Sequence, residues 1–419
     1  MKTKYPTSKV DEIHWETISR RQFLRLTGIT AAGSLTGHCT SQEISLEPGT
    51  PLTLVNGTLI DGTGANATPD AAIIVCDDRI TAVGPRPEIK IPDNSYVVNV
   101  HGKTILPGFI NSHVHMAYNQ KKLCKWARDG VTTVRDLGAS TPYPERLFIT
   151  RNSLNANPKC ARLNAVGLFI NAEGGYPATL GGGWHMVAVT SPEEARQAVN
   201  KLIDAGADVI KTAVESGYAF RSSAWPLLSP DELSLLVETA HERGKPVTAH
   251  VTSARNLVPA LDAGVDEIAH MVVDELPDEL VQRMVETRTR WVPTLELWQL
   301  VSRKYPVNYG EVSIKNLARF VEAGGEVALG TDYAGGPQMA FELGMPISEI
   351  EWMKEAGMTP MQIIVSATKN AARACNMEGQ LGTLEVGKLA DVFVVDGDPM
   401  TDIHALTKVH LVLREGKSI

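Results

Sequence analysis

The chain has 419 residues, of which 43% are hydrophobic and 21% charged, and its formal net charge is −8. A chain of this length exceeds one small core, so two domains with appendages are expected. The acidic balance argues against nucleic acid or an anionic membrane surface as the main partner. Five cysteines (Cys39, Cys76, Cys124, Cys160 and Cys375) show no spacing that suggests a disulfide framework or a zinc ribbon.

The first 45 residues read as an address. Ser19, Arg20, Arg21, Gln22, Phe23 and Leu24 precede a mildly apolar run, rich in small residues, from Leu26 to Gly37. This arrangement resembles a twin-arginine export signal, and it predicts a periplasmic or otherwise extracytoplasmic protein. Cys39 offers a lipid-attachment residue, although His38 stands where that signal carries a small residue. No apolar run is long enough to span a bilayer after processing.

From residue 46 to 104 the texture is β. Residues 52–62 read as strand, turn, strand, with the turn at Asn56-Gly57. Residues 71–84 read as a hairpin and 96–100 as a further strand. Residues 376–419 repeat this texture, with a strand over 390–396 and a hairpin arm over 409–413. Two β-rich ends bracketing the chain predict one composite β-sandwich domain with the middle inserted.

The middle, 105–375, alternates β and α. Apolar strands are predicted at 105–110, 131–134, 162–166, 209–211, 246–249, 267–269, 291–293 and 327–329. Ser191-Pro192-Glu193-Glu194 and Ser229-Pro230-Asp231-Glu232 each open a helix with a capping signature. Eight strands in this length predict an α/β fold of the (β/α)8 TIM-barrel type. An open doubly wound sheet would carry a Gly-rich phosphate turn after its first strand, and this chain has none there.

Barrel chemistry sits at the C-terminal ends of the strands. Reading off the polar residue at each end gives His113 and His115 after strand 1, then Lys211, His250, His270 and Asp332 after strands 4, 5, 6 and 8. His113 and His115 are two apart on an extended segment, so they share a face. Each residue alone has a bland reading as a buried or solvated side chain. Six metal-type groups at one end of one barrel do not.

These residues resemble a known family. The run from Ile105 to His115, the strand-ending Lys211, His250, His270 and Gly330-Thr331-Asp332, with the tail from Gly382 to Pro399, resemble the amidohydrolase superfamily. Residues 130–136, 206–211 and 368–373 resemble its imidazolonepropionase-like branch, which holds prolidase-type dipeptidases and ochratoxin-type amidases. The likeness runs from about residue 50 to the C-terminus.

The resemblance implies two divalent metal ions, with zinc suited to imidazole and carboxylate donors. Lys211, carboxylated on its amine, would bridge both ions. His113, His115 and Asp332 would hold one ion, and His250 and His270 the other. A metal-bridging hydroxide would attack a substrate carbonyl, with Asp332 moving the proton to the leaving amine. The implied substrate is a small amide, a dipeptide or an N-acyl amino acid. His185 and Tyr218 are candidate substrate contacts, with Arg221 a weaker one. Asn111 stands where many relatives carry Asp, and Glu215-Ser216-Gly217 departs from the relatives' Ser-Gly-Gly turn. Trp184, Trp225, Trp291 and Trp298 are candidates to line a pocket. Two other readings are a mononuclear hydrolase or deaminase of cyclic amides or amidines, and a non-catalytic scaffold. A homo-oligomer is compatible with the composition.

Overall fold

A computed structural model describes residues 44–419 except 140, 142, 181–184, 223 and 335–340. The expected export signal, Cys39 and Trp184 lie outside the described residues. Among the described residues no helix is long and apolar enough to cross a membrane.

The protein is a mixed α/β structure. One eight-stranded sheet draws on both ends of the chain. Its strands are β1 (Leu52–Leu59), β2 (Thr68–Cys76), β3 (Arg79–Pro85), β4 (Tyr96–Asn99) and β5 (Lys103–Pro107). Three more come from the C-terminal end, after nine intervening strands. The order is β17 (Lys417–Ser418), β16 (Val409–Arg414), β15 (Val392–Asp396), β5, β1, β2, β3, with β4 also paired to β1. Leu54, Ile73, Ile105, Val392, Val394 and Leu413 form its core.

Residues 52–59 form one strand, not the expected strand–turn–strand. Asn56 takes a left-handed φ of +67°, and the pairing with β2 shifts register between Val55 and Gly57. Asn56-Gly57 therefore makes a bulge, and the chain continues in the same direction. A Cβ on Gly57 would lie 2.9 Å from side-chain atoms of both Ile105 and Val100, so glycine is what allows that close approach.

The remaining strands are parallel and lie in two sheets. One holds β6 (Phe109–Val114), β7 (Val131–Asp136) and β8 (Arg162–Ala165). The other runs β10 (Met186–Val189), β9 (Phe169–Ala172), β11 (Ile210–Ala213), β12 (Val247–His250), β13 (Glu267–Ala269), β14 (Arg290–Val292). The break between β5 and β6 falls at Gly108, so the expected first inner strand starts at Phe109 and not at Ile105. Residues 327–329 are no continuous strand. That segment makes isolated parallel bridges, Val327 to Trp291 of β14 and, beyond it, Tyr333 to Val114 of β6. Strands β9 and β10 lie outside the predicted set; each is only four residues long, although Gly167 and Gly174-Gly175 bracket β9.

Helices alternate with these strands along the chain, and two expected caps are present. Ser191 accepts from the Glu194 amide at the start of helix Pro192–Ala205, and Ser229 and Glu232 complete a reciprocal capping box at helix Pro230–Glu242. The cysteine reading needs one correction. Cys124, in helix Gln120–Arg128, and Cys160 are joined by a disulfide across 36 residues. The spacing gave no hint because the bond is tertiary, linking that helix to the segment before β8.

Candidate metal centre

The six strand-end residues converge. Strand β6 is wholly buried and presents His113 near its end, with His115 one residue beyond. The segment 329–333 is laced to it. Ser112 N–H donates to Leu329 O at 2.9 Å, Asp332 N–H to His113 O at 2.9 Å, and His115 N–H to Tyr333 O at 2.7 Å. Asp332 is held at a left-handed φ of +60°, which few non-glycine residues adopt. Its Oδ1 lies 3.2 Å from His113 Nε2 and 3.1 Å from His115 Nε2.

The other imidazoles close the cluster. Ring centroids of His113 and His270 are 4.7 Å apart, and those of His270 and His250 are 4.5 Å apart. His113, His270 and Asp332 each offer a ligand atom, all within 4.8 Å of one another. This tightest trio takes one residue from each expected ligand pair plus the carboxylate.

Outer hydrogen bonds orient the rings. His115 Nδ1 is 3.0 Å from Gly138 O, and a carbonyl only accepts, so Nδ1 carries the proton. Burial alone would lower the His115 imidazole, but Asp332, Asp136 and Gly138 O outweigh it and raise it, so a proton, or a cation in its place, bridges Nε2 and the Asp332 oxygen 3.1 Å away. His270, at φ +72°, sets its Nδ1 3.0 Å from Thr294 Oγ1.

Electrostatics and burial point the same way. Burial lowers the His113 imidazole to about 3, against the pull of Asp332, so it is neutral, with one ring nitrogen able to offer a lone pair. Burial alone would raise the Asp332 carboxyl, but the imidazoles of His113, His115 and His270 outweigh it and hold the group well below its usual range. Lys211, 1% exposed, is lowered to about 7 by burial. Both ring nitrogens of His113 and of His250, and the Lys211 amine, are buried with no hydrogen-bond partner among the described residues. Each orphaned group of this kind costs about 1–3 kcal/mol. A desolvated, nitrogen-rich donor set with one carboxylate fits divalent cations and a carboxylated lysine.

The cluster forms the floor of a cavity of about 590 Å3, which His115, His250, His270 and Asp332 help to line. Phe169, Tyr176, Phe220, Leu297, Trp298 and Tyr309 supply much of its apolar wall. Of the other tryptophans, Trp291 is core, donating to His270 O at 2.7 Å, and Trp225 backs Phe220. Tyr218 is 42% exposed, just before Ala219, Phe220 and Arg221, which line the cavity. His185 is half-buried, just before β10 and five residues past the cavity-lining Leu180. Neither His185 nor Tyr218 is among the described lining residues.

Two residues without an assigned role emerge. Tyr176 stacks on His250 at 4.0 Å, and only the Gly174-Gly175-Tyr176-Pro177 turn signal marked it in the sequence. Glu215, wholly buried, sits 3.4 Å from His250 Nε2. An acid four residues after Lys211 in an otherwise buried segment was its signal.

Comparison with known proteins places this geometry. Over 225 residues the chain is 31% identical to ochratoxinase of Aspergillus niger, covering 50% of this chain and 45% of that protein. The chain thus spans about half the length of these curated relatives. Imidazolonepropionase of Symbiobacterium thermophilum is 26% identical, over 79% of this chain and 85% of its own. A crystal structure of a Xaa-Pro dipeptidase with bound methionine superposes with a TM-score of 0.75 at 25% identity, covering 88% of this chain and all of that one. The family profile described as amidohydrolase family matches residues 104–419, and the chain belongs to that family.

Proposed function

We propose that this protein hydrolyses a C–N bond in a small amide, most plausibly a dipeptide or an N-acyl amino acid, with two divalent cations held by His113, His115, Lys211, His250, His270 and Asp332. The observation that carries the reading is the convergence of the buried His113, His115, His250 and His270 imidazoles on the Asp332 carboxylate, beside a Lys211 amine that has no hydrogen-bond partner among the described residues. Lys211 is buried, and burial lowers its amine to about 7, which leaves a neutral fraction for carboxylation; its carbamate would supply the bridging anion. Zinc suits these donors. Cations bound here would acidify water and polarise a carbonyl. Asp332, with its pKa held low, accepts a proton at Oδ1 or Oδ2 and returns it to the leaving nitrogen. The apolar walls exclude bulk water, which strengthens these charges. His185 and Tyr218 are read as groups that meet the substrate at the mouth.

The scaffold is read as a (β/α)8 barrel over residues 105–375, with a composite β-sandwich from 46–104 and 376–419. The isolated bridges of residues 327 and 333 to β14 and β6 support closure, and the single sheet shared by both chain ends supports the second part. Export through the twin-arginine route is proposed from Arg20 and Arg21. A disulfide suits an oxidising compartment, and the Cys124–Cys160 bond supports this.

A cyclic amide substrate is the second reading, favoured by the long alignment with imidazolonepropionase. Lys211 counts against it, since one ion needs no bridge. Counting metal per chain by elemental analysis, beside turnover of a dipeptide and N-acyl-amino-acid library, separates the two. Two ions per chain with amide turnover are expected. One ion with turnover confined to cyclic amides or amidines would overturn the proposal.

A further inference from the structure

Two aromatic walls leave the histidine cluster, and one guanidinium joins their outer ends. The first wall starts at His250, on which Tyr176 stacks at 4.0 Å with 27° between the ring planes. It continues to Phe220, 6.0 Å from Tyr176, which is backed by Trp225 at 4.9 Å. The second wall starts at His270, met edge-on by Trp298 at 6.1 Å, and continues to Tyr309, 5.9 Å from Trp298. Arg221 follows Phe220 in the chain, and its Nη2 donates to Pro306 O at 3.4 Å, three residues before Tyr309. Its side chain therefore spans from one wall to the other.

The loop that places Arg221 is built, not slack. Arg221 itself sits at φ +59°, a conformation few non-glycine residues hold without support. The support is local. Arg221 N–H donates to Tyr218 O at 3.0 Å and Ser222 N–H to Gly217 O at 2.8 Å, while buried Glu215 accepts from the amides of Gly217 and Tyr218. Histidines aside, Arg221 is the only basic side chain among the described residues lining the cavity. Its five N–H donors make one long hydrogen bond among the described residues.

We infer that the cavity selects amides carrying both a flat aromatic or bulky apolar group and a carboxylate, with Arg221 as the specificity-determining residue that takes the carboxylate. This rests on the amide-hydrolase reading of the same site. An apolar cavity of about 590 Å3 rewards a large apolar substituent. A carboxylate entering it needs a countercharge, and the planar fork of a guanidinium meets it through two parallel hydrogen bonds. A neutral amide of the same shape offers Arg221 one carbonyl acceptor and no charge. The carbonyl to be attacked faces the floor, the ring lies between the walls, and the carboxylate reaches the rim.

The test is equilibrium binding, so that it stands apart from turnover. The probes are N-benzenesulfonyl-phenylalanine, whose sulfonamide is not an acyl bond, its uncharged carboxamide, and N-benzenesulfonyl-glycine. Each is titrated calorimetrically into the metal-loaded full chain. The phenylalanine acid is expected to bind about tenfold to a hundredfold more tightly than its carboxamide, the gain typical of a charge-assisted pair. It should also bind more tightly than the glycine acid. Arg221→Gln should erase the acid preference, and Arg221→Lys should keep part of it. Both variants should bind the carboxamide as the parent does, which checks the fold. Equal binding of acid and carboxamide, no binding of either at millimolar concentration, or an acid preference that survives Arg221→Gln overturns the inference. Failure to cleave any acyl amide, with the binding pattern intact, would instead count against the hydrolase reading.

Discussion

Glu215 lies 3.4 Å from the Nε2 of His250 and at the same time anchors the loop that carries Phe220 and Arg221. Its Oε1 accepts from the amides of Gly217 and Tyr218, and its Oε2 accepts from Thr252 Oγ1. Burial would raise this carboxyl, but the His250 imidazole, Thr252 and the loop amides outweigh it and keep the group ionised. Glu215→Ala leaves those donors buried and unpaired, at a cost of about 3 kcal/mol or more. It should also raise KM by roughly tenfold, as expected when about 1.4 kcal/mol of loop positioning is lost. Glu215→Gln keeps an acceptor for the loop amides and should lose less than about half of that stability. Urea unfolding and steady-state kinetics check both, and equal effects of the two substitutions would remove the anchoring role.

Gly330 precedes the Thr331-Asp332 pair and packs against β6. A Cβ there would lie 2.4 Å from Val292 Cγ1 and 2.7 Å from His113 Cβ. Backbone on both sides fixes these neighbours, so the strain falls on the His113 position. Gly330→Ala is expected to cost about 1–3 kcal/mol. Its metal content should fall even when the fold survives, as read by elemental analysis of the folded fraction. Full metal loading in a folded variant would show that this packing does not set the ligand geometry.

The histidines were legible because each ends or follows a short apolar strand; Lys211 instead lies inside β11, and Asp332 follows a segment held only by isolated bridges. The orientation of these groups was not legible. Asp332 and His270 depend on left-handed backbone, and the His115 tautomer depends on the Gly138 carbonyl 23 residues away. No local pattern encodes these contacts. The same holds for Cys124 and Cys160, and for Tyr176, whose place on His250 is set by a loop. Asn56-Gly57 misled for a local reason: the pair suits a hairpin turn and a bulge equally well, and only the β2 pairing on both sides decides.

Asp332 and His113 should separate metal retention from proton movement. His113 offers nitrogen to the centre and nothing to the proton's path, so His113→Ala should lose bound metal and nearly all turnover. Asp332→Asn keeps an oxygen of the same size but cannot accept the proton. It should retain much of the metal while kcat falls by about a hundredfold or more, in line with loss of a general base. Parental turnover in Asp332→Asn would refute the proton-transfer role.

Beneath the floor, Arg135 and Glu267 form a buried ion pair, with exposures of 0% and 1%. Arg135 also donates through Nε to Ser112 O, next to His113, and through Nη1 to Ala374 O. Removing Glu267 leaves a guanidinium desolvated without its partner. Glu267→Ala is expected to cost about 3–5 kcal/mol. Denaturant unfolding measures it, and a loss under about 1 kcal/mol would mean that water reaches Arg135.

Stability should also depend on pH through a carboxyl that is not one of the candidate metal ligands. Glu349 is fully buried and caps helix Leu295–Lys304, accepting from Leu295 N–H at 2.8 Å and Glu296 N–H at 2.7 Å. Burial pushes it from 4.5 up to about 8, and pushes neighbouring Glu296 up to about 7. The folded protein therefore holds protons that the unfolded chain has released above its ordinary carboxyl range. The stabilisation is complete below pH 4.5, declines as pH rises, and is lost as pH passes through about 8. Glu349→Gln stays neutral throughout and should flatten the decline. Thermal midpoints measured between about pH 5 and about pH 8.5 give the comparison, and parallel profiles for parent and variant would rule out this ionisation. The helix that Glu349 caps carries Trp298 into the cavity wall, and Thr294, just before it, contacts His270. Loosening at high pH should therefore weaken ligand binding in the parent and not in Glu349→Gln.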